Sequence, residues 1–266
     1  MTAPTLLVTG AGTGIGAATA SLASARGWQV VACGRRRDLL EAVAARTGAA
    51  VRVVDVAAPG AVETLVESVV DEFGRLDSVV ANAGVMAVGS VVQTEPANWD
   101  AVLRTNLTSV YLLARAALPH LVAARGTLVG VSSIAALRTP TSTAAYSVSK
   151  AGLISLVQSV ARDFGPSGVR ANVVCPGWVR TEMADAEMAS FGAPYGLDVE
   201  TAYAAVTELV PQRRAADPDE VARAILWLAG DEASYVNGAT LVVDGGTVLV
   251  DAGTVPLDHQ LAPRTH

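Results

Sequence analysis

The sequence predicts a single-domain α/β protein: a doubly wound parallel sheet of about seven strands with helices on both faces. Short apolar runs alternate along the chain with longer, alanine-rich stretches of helical periodicity. Such apolar runs are typical of strands that are buried on both faces of a sheet. The helices between them would connect consecutive parallel strands by right-handed crossovers. The 266 residues, 51% of them hydrophobic, are enough for one large core.

The strands and helices follow in order. The predicted strands are Thr5–Thr9, Gln29–Cys33, Ala50–Val54, Ser78–Ala81, Gly126–Val131, Arg170–Cys175 and Ala239–Val243. The predicted helices lie near Ile15–Arg26, Asp38–Thr47, Gly60–Phe73, Ala97–Ala124, Ala145–Phe164 and Pro218–Ala229. Residues 182–205 interrupt this rhythm, and their Gly192, Pro194 and Gly196 predict a mobile excursion. We expect one domain over residues 1–246, followed by a tail, 247–266, without clear periodicity.

Composition excludes several classes of protein. The net charge is −6, and no basic tract is longer than Arg35–Arg37, which argues against nucleic-acid binding. Two cysteines cannot form a disulfide framework and indicate a reducing compartment. The N-terminal segment has no charge before Arg26 but several glycines and threonines, which suit neither a signal peptide nor a membrane span. A cytoplasmic location without membrane attachment is therefore expected.

A glycine-rich segment follows the first predicted strand directly. It reads Thr9-Gly10-Ala11-Gly12-Thr13-Gly14-Ile15-Gly16, and a helix comes next. Backbone N–H groups and the positive end of a helix dipole can bind a pyrophosphate there, and glycine allows close approach. The spacing departs from G-x-G-x-x-G because Ile15 takes the place of the final glycine. A flexible glycine-rich turn is the alternative.

The second strand ends in a cluster of arginines. In dinucleotide-binding folds an acid at this point binds the adenosine ribose 2′-OH, whereas arginine accommodates a 2′-phosphate. Here Gly34 stands where the acid would be, and Arg35 and Arg36 follow. The cluster therefore favours NADP(H), with NAD(H) still possible; the alternative is an ordinary solvated charge cluster.

Tyr146 and Lys150 are a candidate acid–base pair. Residues four apart share a helix face, and a nearby cation lowers the pKa of a tyrosine. The spacing alone is a weak signal. It gains weight because Lys150 is the only lysine among 19 basic residues.

Together these motifs resemble the short-chain dehydrogenase/reductase family, with its Rossmann fold, from residue 5 to residue 247. The residues that carry the resemblance are Thr9-Gly10-x-x-x-Gly14-x-Gly16, Asp55-Val56, Asn82-Ala83-Gly84, Asn106, Ser133, Tyr146-x-x-x-Lys150, Pro176-Gly177-x-x-x-Thr181 and Val243-Asp244-Gly245-Gly246. Each is a modest signal, but their presence in this order is specific. The resemblance implies an oxidoreductase that transfers a hydride between NADP(H) and a ketone/secondary-alcohol pair.

The resemblance also implies residue roles. Tyr146 would be the general acid/base, and Ser133 would hydrogen-bond the substrate oxygen. Lys150 would bind the nicotinamide ribose and lower the Tyr146 pKa, while Asn106 would hold a water of a proton relay. The implied cofactor-binding residues are Gly10, Thr13, Gly14, Ile15, Gly16, Arg35, Arg36, Asp55, Val56, Asn82, Gly84, Tyr146, Lys150, Pro176, Gly177, Val179 and Thr181. No metal is expected.

The resemblance places the substrate beside Ser133 and Tyr146, with Trp178 and a lid at 182–205 above it. Met183 would contact the substrate directly. Met188, Phe191, Tyr195 and Tyr203, with Met183, would make the lid apolar, so an uncharged, hydrophobic substrate is expected. The family is commonly a homotetramer or homodimer through two long helices, here Ala97–Ala124 and Ala145–Phe164, and the tail is expected to pack on a neighbouring subunit.

Several alternatives remain open at this point. An NAD-dependent alcohol or hydroxysteroid-type dehydrogenase is the runner-up, and a non-catalytic dinucleotide sensor ranks lower. A hydrolase is weaker still, because the run around Ser132 lacks the second glycine of a nucleophile elbow. Asp55 could only cap the next helix, Asn106 could have a purely local role, and Cys33 and Cys175 are expected to be buried.

Overall fold

The computed structural model describes residues 3–251, 253 and 254 of the chain. Its central sheet is parallel throughout, with strand order β3-β2-β1-β4-β5-β6-β7. The strands are β1 (Thr5–Thr9), β2 (Gln29–Gly34), β3 (Ala50–Val53), β4 (Ser78–Ala81), β5 (Thr127–Val131), β6 (Arg170–Pro176) and β7 (Thr240–Val243). The predicted seven-stranded, doubly wound sheet is confirmed, with strand ends within one residue of the prediction.

Helices cover both faces of this sheet. They are α1 (Gly14–Ala25), α2 (Arg37–Thr47), α3 (Ala61–Phe73), α4 (Pro96–Leu103), α5 (Ser109–Ala124), α6 (Ala144–Phe164), α7 (Glu182–Gly192), α8 (Val199–Thr207) and α9 (Pro218–Ala229). One hydrophobic core joins the sheet to α3, α5 and α6, and a second joins it to α1, α2 and α9. Strands covered on both faces explain why the runs are apolar without alternation.

The order of the strands positions the binding cleft. The chain leaves β1 toward β2 on one side and β4 lies on the other, so the crossovers diverge at the carboxyl end of β1. Ligands of open α/β sheets bind at such a switch point. The glycine-rich segment after β1 therefore lies at the mouth of this crevice.

The segment at 182–205, for which no helix was predicted, contains α7 and most of α8. Thr181 caps α7 by accepting a hydrogen bond from the Ala184 backbone N–H (3.2 Å), and Asp198 caps α8 in the same way through Thr201 (2.8 Å). Gly192, Pro194 and Gly196 lie at the junction between the two helices, where they end one helix instead of preventing both. We call residues 182–205 the lid.

The lid has a small core of its own. Met188 and Tyr203 are buried together with Ala202 and Ala215, and Trp178 packs against them. Met188 and Tyr203, which were expected to make the lid surface apolar, thus have their side chains in the core of the lid. Met183, Phe191 and Tyr195 are exposed.

The helix predicted over Ala97–Ala124 is interrupted. Five residues of π-helix, Arg104–Thr108, separate α4 from α5. The whole stretch, Pro96–Ala124, is 29 residues long and contains a segment with a mean hydropathy of 1.4, so its length and composition would suffice for a membrane span. Its residues Val110, Leu113 and Leu121 lie in the protein core, so core packing accounts for that apolar character.

The beginning of the C-terminal tail is described, and residues 252 and 255–266 lie outside the described residues. Thr247–Leu249 form one 3₁₀ turn, and the Asp244 carboxylate accepts hydrogen bonds from the Gly246 and Val248 N–H groups (both 2.8 Å). Arg138 donates a hydrogen bond to the Val250 carbonyl. This arginine, just after β5, therefore tethers the tail on the side of the sheet where the candidate site lies.

Candidate active site

The glycine-rich segment is packed so tightly that side chains are excluded. A Cβ on Gly16 would lie 2.2 Å from the Gly10 carbonyl oxygen, and one on Gly10 would lie 2.9 Å from the Asn82 side-chain amide. Gly10 and Gly14 also have positive φ (65° and 53°). Packing and backbone conformation thus both require glycine at these positions. The alternative interpretation, a flexible glycine-rich turn, does not account for this packing.

This segment presents a helix N-terminus suited to a pyrophosphate. Thr13 is the N-cap of α1 but makes no capping hydrogen bond with its side chain, and the first turn of α1 contains no acidic residue. Anions are favoured at such a terminus by its N–H groups and its dipole. A dinucleotide therefore fits this site, where Gly14, Ile15 and Gly16 would receive its phosphates.

Asn82 joins the glycine-rich segment to the end of β4. Its side-chain amide donates hydrogen bonds to the carbonyls of Thr9 (3.0 Å) and Gly10 (3.1 Å), while the Thr9 hydroxyl accepts from the Asn82 and Ala83 N–H groups (both 3.1 Å). These four bonds fix one wall of the crevice to the other. Asn82 therefore shapes the predicted cofactor cleft through the backbone.

Ser133 and Tyr146 meet at the carboxyl end of β5. The Ser133 hydroxyl lowers the pKa of the Tyr146 phenol and accepts a hydrogen bond from the Ala135 N–H (3.1 Å). The neighbouring Ser132 is turned away, with its hydroxyl donating to the Lys150 carbonyl (2.8 Å). Of the two serines, Ser133 is thus the one beside the phenol.

Lys150 lies beneath the same phenol. Its ammonium is 5.7 Å from the centre of the Tyr146 ring and donates a hydrogen bond to the Val131 carbonyl (2.8 Å). Burial lowers the Lys150 pKa from 10.5 to about 8, because the charged form loses its hydration. A Cβ on Gly84 would lie 3.3 Å from this ammonium, so glycine leaves space directly above it.

The Tyr146 pKa is raised in this structure, which corrects the expected lowering by Lys150. Burial of the phenol is the largest cause, and the Glu187 carboxylate and the Cys175 thiol raise it further, while the Ser133 hydroxyl lowers it. Loss of hydration of the phenolate therefore dominates the Tyr146 pKa.

Asn106 sits within the π-helical segment and is fully buried. Its Oδ1 accepts from the Val85 N–H (2.8 Å), and its Nδ2 donates to the Val85 carbonyl (2.9 Å) and to the Ser149 hydroxyl (3.0 Å). Both amide protons are therefore used, and Oδ1 retains one lone pair for a water. Asn106 has a clear local role, holding the chain after Gly84 against α6.

The two arginines after β2 differ in their surroundings. Arg35 is exposed and makes no hydrogen bond or ion pair with the residues that the structure describes. Arg36 makes a two-pronged ion pair with Glu182 (both 2.6 Å) and lies 3.4 Å from the Thr13 hydroxyl. The pair bridges the mouth of the crevice, from the β2 side to the first residue of α7.

The remaining predicted residues line the same edge of the sheet. Asp55 closes a turn by accepting from the Ala57 N–H (3.0 Å), and α3 is preceded by Gly60, so Asp55 does not cap the helix. Val56 is buried. Pro176 ends β6, and Gly177, Val179 and Thr181 lead from it to α7. Thr181 lies against Gly14, where a Cβ would be 2.8 Å from its methyl group.

Neither cysteine belongs to the site as a reactive group. Both are buried and unpaired, and burial raises the pKa of Cys33 to about 12 and also raises that of Cys175. No cluster of three or more metal-ligating side chains occurs among residues 3–251, 253 and 254.

Sequence reasoning missed several residues that support the site. Thr9, Ser132 and Ser149 anchor Asn82, Lys150 and Asn106 through hydrogen bonds. Glu182 brings a carboxylate to the mouth of the cleft. Local sequence carried no signal for it, because its partner, Arg36, is 146 positions away in the chain.

The fold and this site define an oxidoreductase that uses a nicotinamide dinucleotide and acts on an alcohol/ketone pair. The sequence matches a family described as Enoyl-(Acyl carrier protein) reductase over residues 10–248. The chain belongs to the short-chain dehydrogenase/reductase family.

Known proteins similar to this chain cover most of its length. It is 43% identical over 239 residues to the protein MoaE of Klebsiella aerogenes (89% of this chain, 92% of MoaE). It is 35% identical over 241 residues to a meso-2,3-butanediol dehydrogenase of Serratia marcescens (90% of this chain, 92% of that enzyme). A crystal structure of an actinorhodin polyketide ketoreductase variant with NADPH superposes with a TM-score of 0.87 at 30% identity, covering 92% of this chain and 97% of that one.

Burial of Lys150 predicts a pH-dependent stability. Because its folded pKa (about 8) is below the unfolded value (10.5), the unfolded chain binds the proton more tightly between these pH values. The free energy of unfolding of the wild type, relative to that of Lys150→Met, should therefore rise from pH 8 to pH 10.5 and be constant below pH 8. Urea unfolding of both proteins across this range measures the difference.

The comparison with Lys150→Met is needed because the buried cysteines change the free energy of unfolding with pH in the opposite direction. The Cys33 thiol, with a pKa raised from 9.0 to about 12, ionises first in the unfolded chain, so it lowers stability above pH 9 in both proteins. If the difference in the free energy of unfolding between the wild type and Lys150→Met does not change with pH, the burial of a charged Lys150 is contradicted.

Proposed function

We propose that this protein transfers a hydride between NADP(H) and a secondary alcohol or ketone, with Tyr146 as general acid/base. The observation that carries this proposal is the convergence of Ser133, Tyr146 and Lys150 beside the glycine-rich segment. A proton-transfer group next to a dinucleotide cradle has a use in an oxidoreductase and none in a dinucleotide sensor.

The nicotinamide, when bound, supplies or accepts the hydride. The protein's residues handle the proton and the geometry. In the direction of ketone reduction, the Tyr146 phenol would donate its proton to the carbonyl oxygen, while the Ser133 hydroxyl hydrogen-bonds the same oxygen. In alcohol oxidation the phenolate takes the proton back, so one group serves both directions.

In this scheme Lys150 would bind the ribose hydroxyls of the cofactor. Its ammonium has three donors, of which one is used on the Val131 carbonyl, so the others are available to ribose hydroxyls above Gly84. Bound hydroxyls and the positive nicotinamide of the oxidised cofactor would both favour the phenolate. The raised Tyr146 pKa would then fall on cofactor binding.

The test of this function is turnover by the holoenzyme across aliphatic, aromatic, cyclic and acyl-thioester ketones with each nicotinamide. Tyr146→Phe should lower kcat at least about 100-fold, because the proton donor is lost while the ring remains. Tyr111→Phe, which alters a half-exposed tyrosine on α5, is the matched control and should keep full activity. Turnover by Tyr146→Phe at the wild-type rate would rule out the mechanism.

The preference for NADP(H) is supported by the charges around the end of β2. Arg35 and Arg36 lie there without a carboxylate at position 34, and a guanidinium forks well onto a phosphate. Glu182 is ion-paired with Arg36 and would therefore compete with the 2′-phosphate for this arginine. The alternative, a dehydrogenase that uses NAD(H), would leave this pair intact.

Arg35→Gln and Arg36→Gln should each weaken NADPH binding by about tenfold or more and leave NADH binding almost unchanged. Glu182→Gln should tighten NADPH binding, because Arg36 is released. Fluorescence titration of the nicotinamide measures all three. Arg37→Gln is the control, since Arg37 pairs with Glu41 on α2; equal losses for both nucleotides would overturn the 2′-phosphate assignment.

Self-association through α5 and α6 is supported by the surface between them. A cavity of about 450 Å³ lies there, lined mostly by apolar side chains. The lining is Tyr111, Ala114, Arg115, Leu118, Pro119, Val122, Leu156, Ser159, Val160, Asp163 and Phe164. In a dimer with a two-fold axis, this patch would pack against the same patch of the second subunit. Arg115 could then form an ion pair with the partner's Asp163. A homodimer or homotetramer with a cytoplasmic location stays a prediction.

Tyr111→Glu should halve the mass of the assembly, because it places a carboxylate in this apolar patch. Light scattering after size exclusion measures the mass. Tyr195→Glu, at an exposed tyrosine of the lid, is the control and should leave it unchanged. An unchanged mass for Tyr111→Glu would exclude this face as the interface.

A further inference from the structure

Ser149 places a buried hydroxyl in the interior of α6, between Tyr146 and Lys150. A serine forms helices less readily than alanine, and its hydroxyl competes for backbone hydrogen bonds, so this position calls for an explanation. The hydroxyl has two partners here. It donates to the Tyr146 carbonyl (2.7 Å) and accepts from the Asn106 side-chain amide (3.0 Å).

The bond to Asn106 connects α6 to the wall of the cofactor cleft. The Asn106 amide is paired with the Val85 backbone at both its oxygen (2.8 Å) and its nitrogen (2.9 Å). A continuous chain of hydrogen bonds therefore runs from Val85 through Asn106 and Ser149 to the Tyr146 carbonyl. One end of this chain is the cleft wall, where the nicotinamide ribose would lie, and the other is the turn of α6 that carries the phenol.

Packing brings the two elements close enough for this bond. Asn106 belongs to the π-helical segment Arg104–Thr108, and such segments often occur at functional sites. Leu107 of this segment lies against Gly152, where a Cβ would be 2.9 Å from the Leu107 side chain. Gly152 comes three residues after Ser149, so both contacts lie on the same face of α6.

Asn106 depends on Ser149 for one of its hydrogen-bond partners. One amide proton goes to the Val85 carbonyl and the other to the Ser149 hydroxyl. Both side chains are fully buried, so without this hydroxyl the second proton would lose its partner away from solvent. Because an unpaired buried donor is costly, the amide would move to find another acceptor.

We propose that Ser149 is a positioning residue that acts through Asn106. It holds the Tyr146–Lys150 turn of α6 at a fixed place relative to the cleft wall at Gly84–Val85. This inference rests on the proposed function and adds to it a residue that fixes geometry without handling the proton. Hydride and proton must reach the same carbonyl group, so a small displacement of the phenol relative to the nicotinamide slows the transfer.

Ser149→Ala should lower the rate of hydride transfer by about tenfold or more, while KM and the Kd of NADPH change less than about twofold. The rate is measured in single turnovers from the NADPH absorbance, with the ketone that the wild-type holoenzyme reduces fastest. Ser149→Cys keeps the volume of the side chain but forms weak hydrogen bonds. It should show the same loss, and it decides the case if Ser149→Ala does not fold.

Ser68→Ala is the matched control on α3. The Ser68 hydroxyl also has two partners, since it donates to the Leu65 carbonyl three residues earlier (2.8 Å) and accepts from the Arg52 guanidinium (3.1 Å). Its removal should lower the Tm and leave the rate of hydride transfer unchanged.

A double-mutant cycle separates this role from a general loosening of α6. In an Asn106→Ala background the hydroxyl has already lost its link to Val85, so Ser149→Ala should lower the rate no further. A wild-type rate for Ser149→Ala, or rates that fall by independent factors in the cycle, would overturn the inference.

Amide hydrogen exchange tests the same link without turnover. The Val85 N–H donates to Asn106, so it should exchange at least about tenfold faster in Ser149→Ala than in the wild type, and at the wild-type rate in Ser68→Ala. Unchanged exchange at Val85 in Ser149→Ala would show that Ser149 does not hold Asn106. Absence of turnover on any alcohol or ketone by a folded wild type would instead refute the proposed function itself.

Discussion

The site depends on an ammonium that the fold buries with too few acceptors. Lys150 is enclosed at the carboxyl ends of β4 and β5, and the Val131 carbonyl can satisfy one of its three donors. A buried cation with unused donors is costly, and the cost is reflected in a pKa lowered to about 8. The surrounding residues hold this arrangement in place: Ser132 binds the Lys150 backbone, and Gly84 leaves room above the ammonium.

The same constraint explains why the chain retains one lysine where arginine serves everywhere else. A guanidinium is planar and broad, and a Cβ on Gly84 would already be within 3.3 Å of the ammonium. The compact ammonium of Lys150 fits the space that Gly84 leaves.

The sequence predicted the sheet and the gathering of the site residues because both follow from local pattern and strand order. Gly10, Asn82, Ser133 and the 176–181 segment come after successive parallel strands, so their meeting at one edge was predictable. The helices of the lid were missed because Gly192 and Pro194 dominate the local signal, although Thr181 and Asp198 are good caps. The raised pKa of Tyr146 depends on burial and on a lid carboxylate distant in sequence, which no local pattern contains.

The lid helix α7 is joined to the cofactor side of the cleft at its first turn. Glu182 is paired there with Arg36, near the glycine-rich segment. A helix of this length moves as a unit, and Met188 and Tyr203 lock it to α8. The lid is thus tied to the β2 side of the crevice by one ion pair and held together by its own buried core.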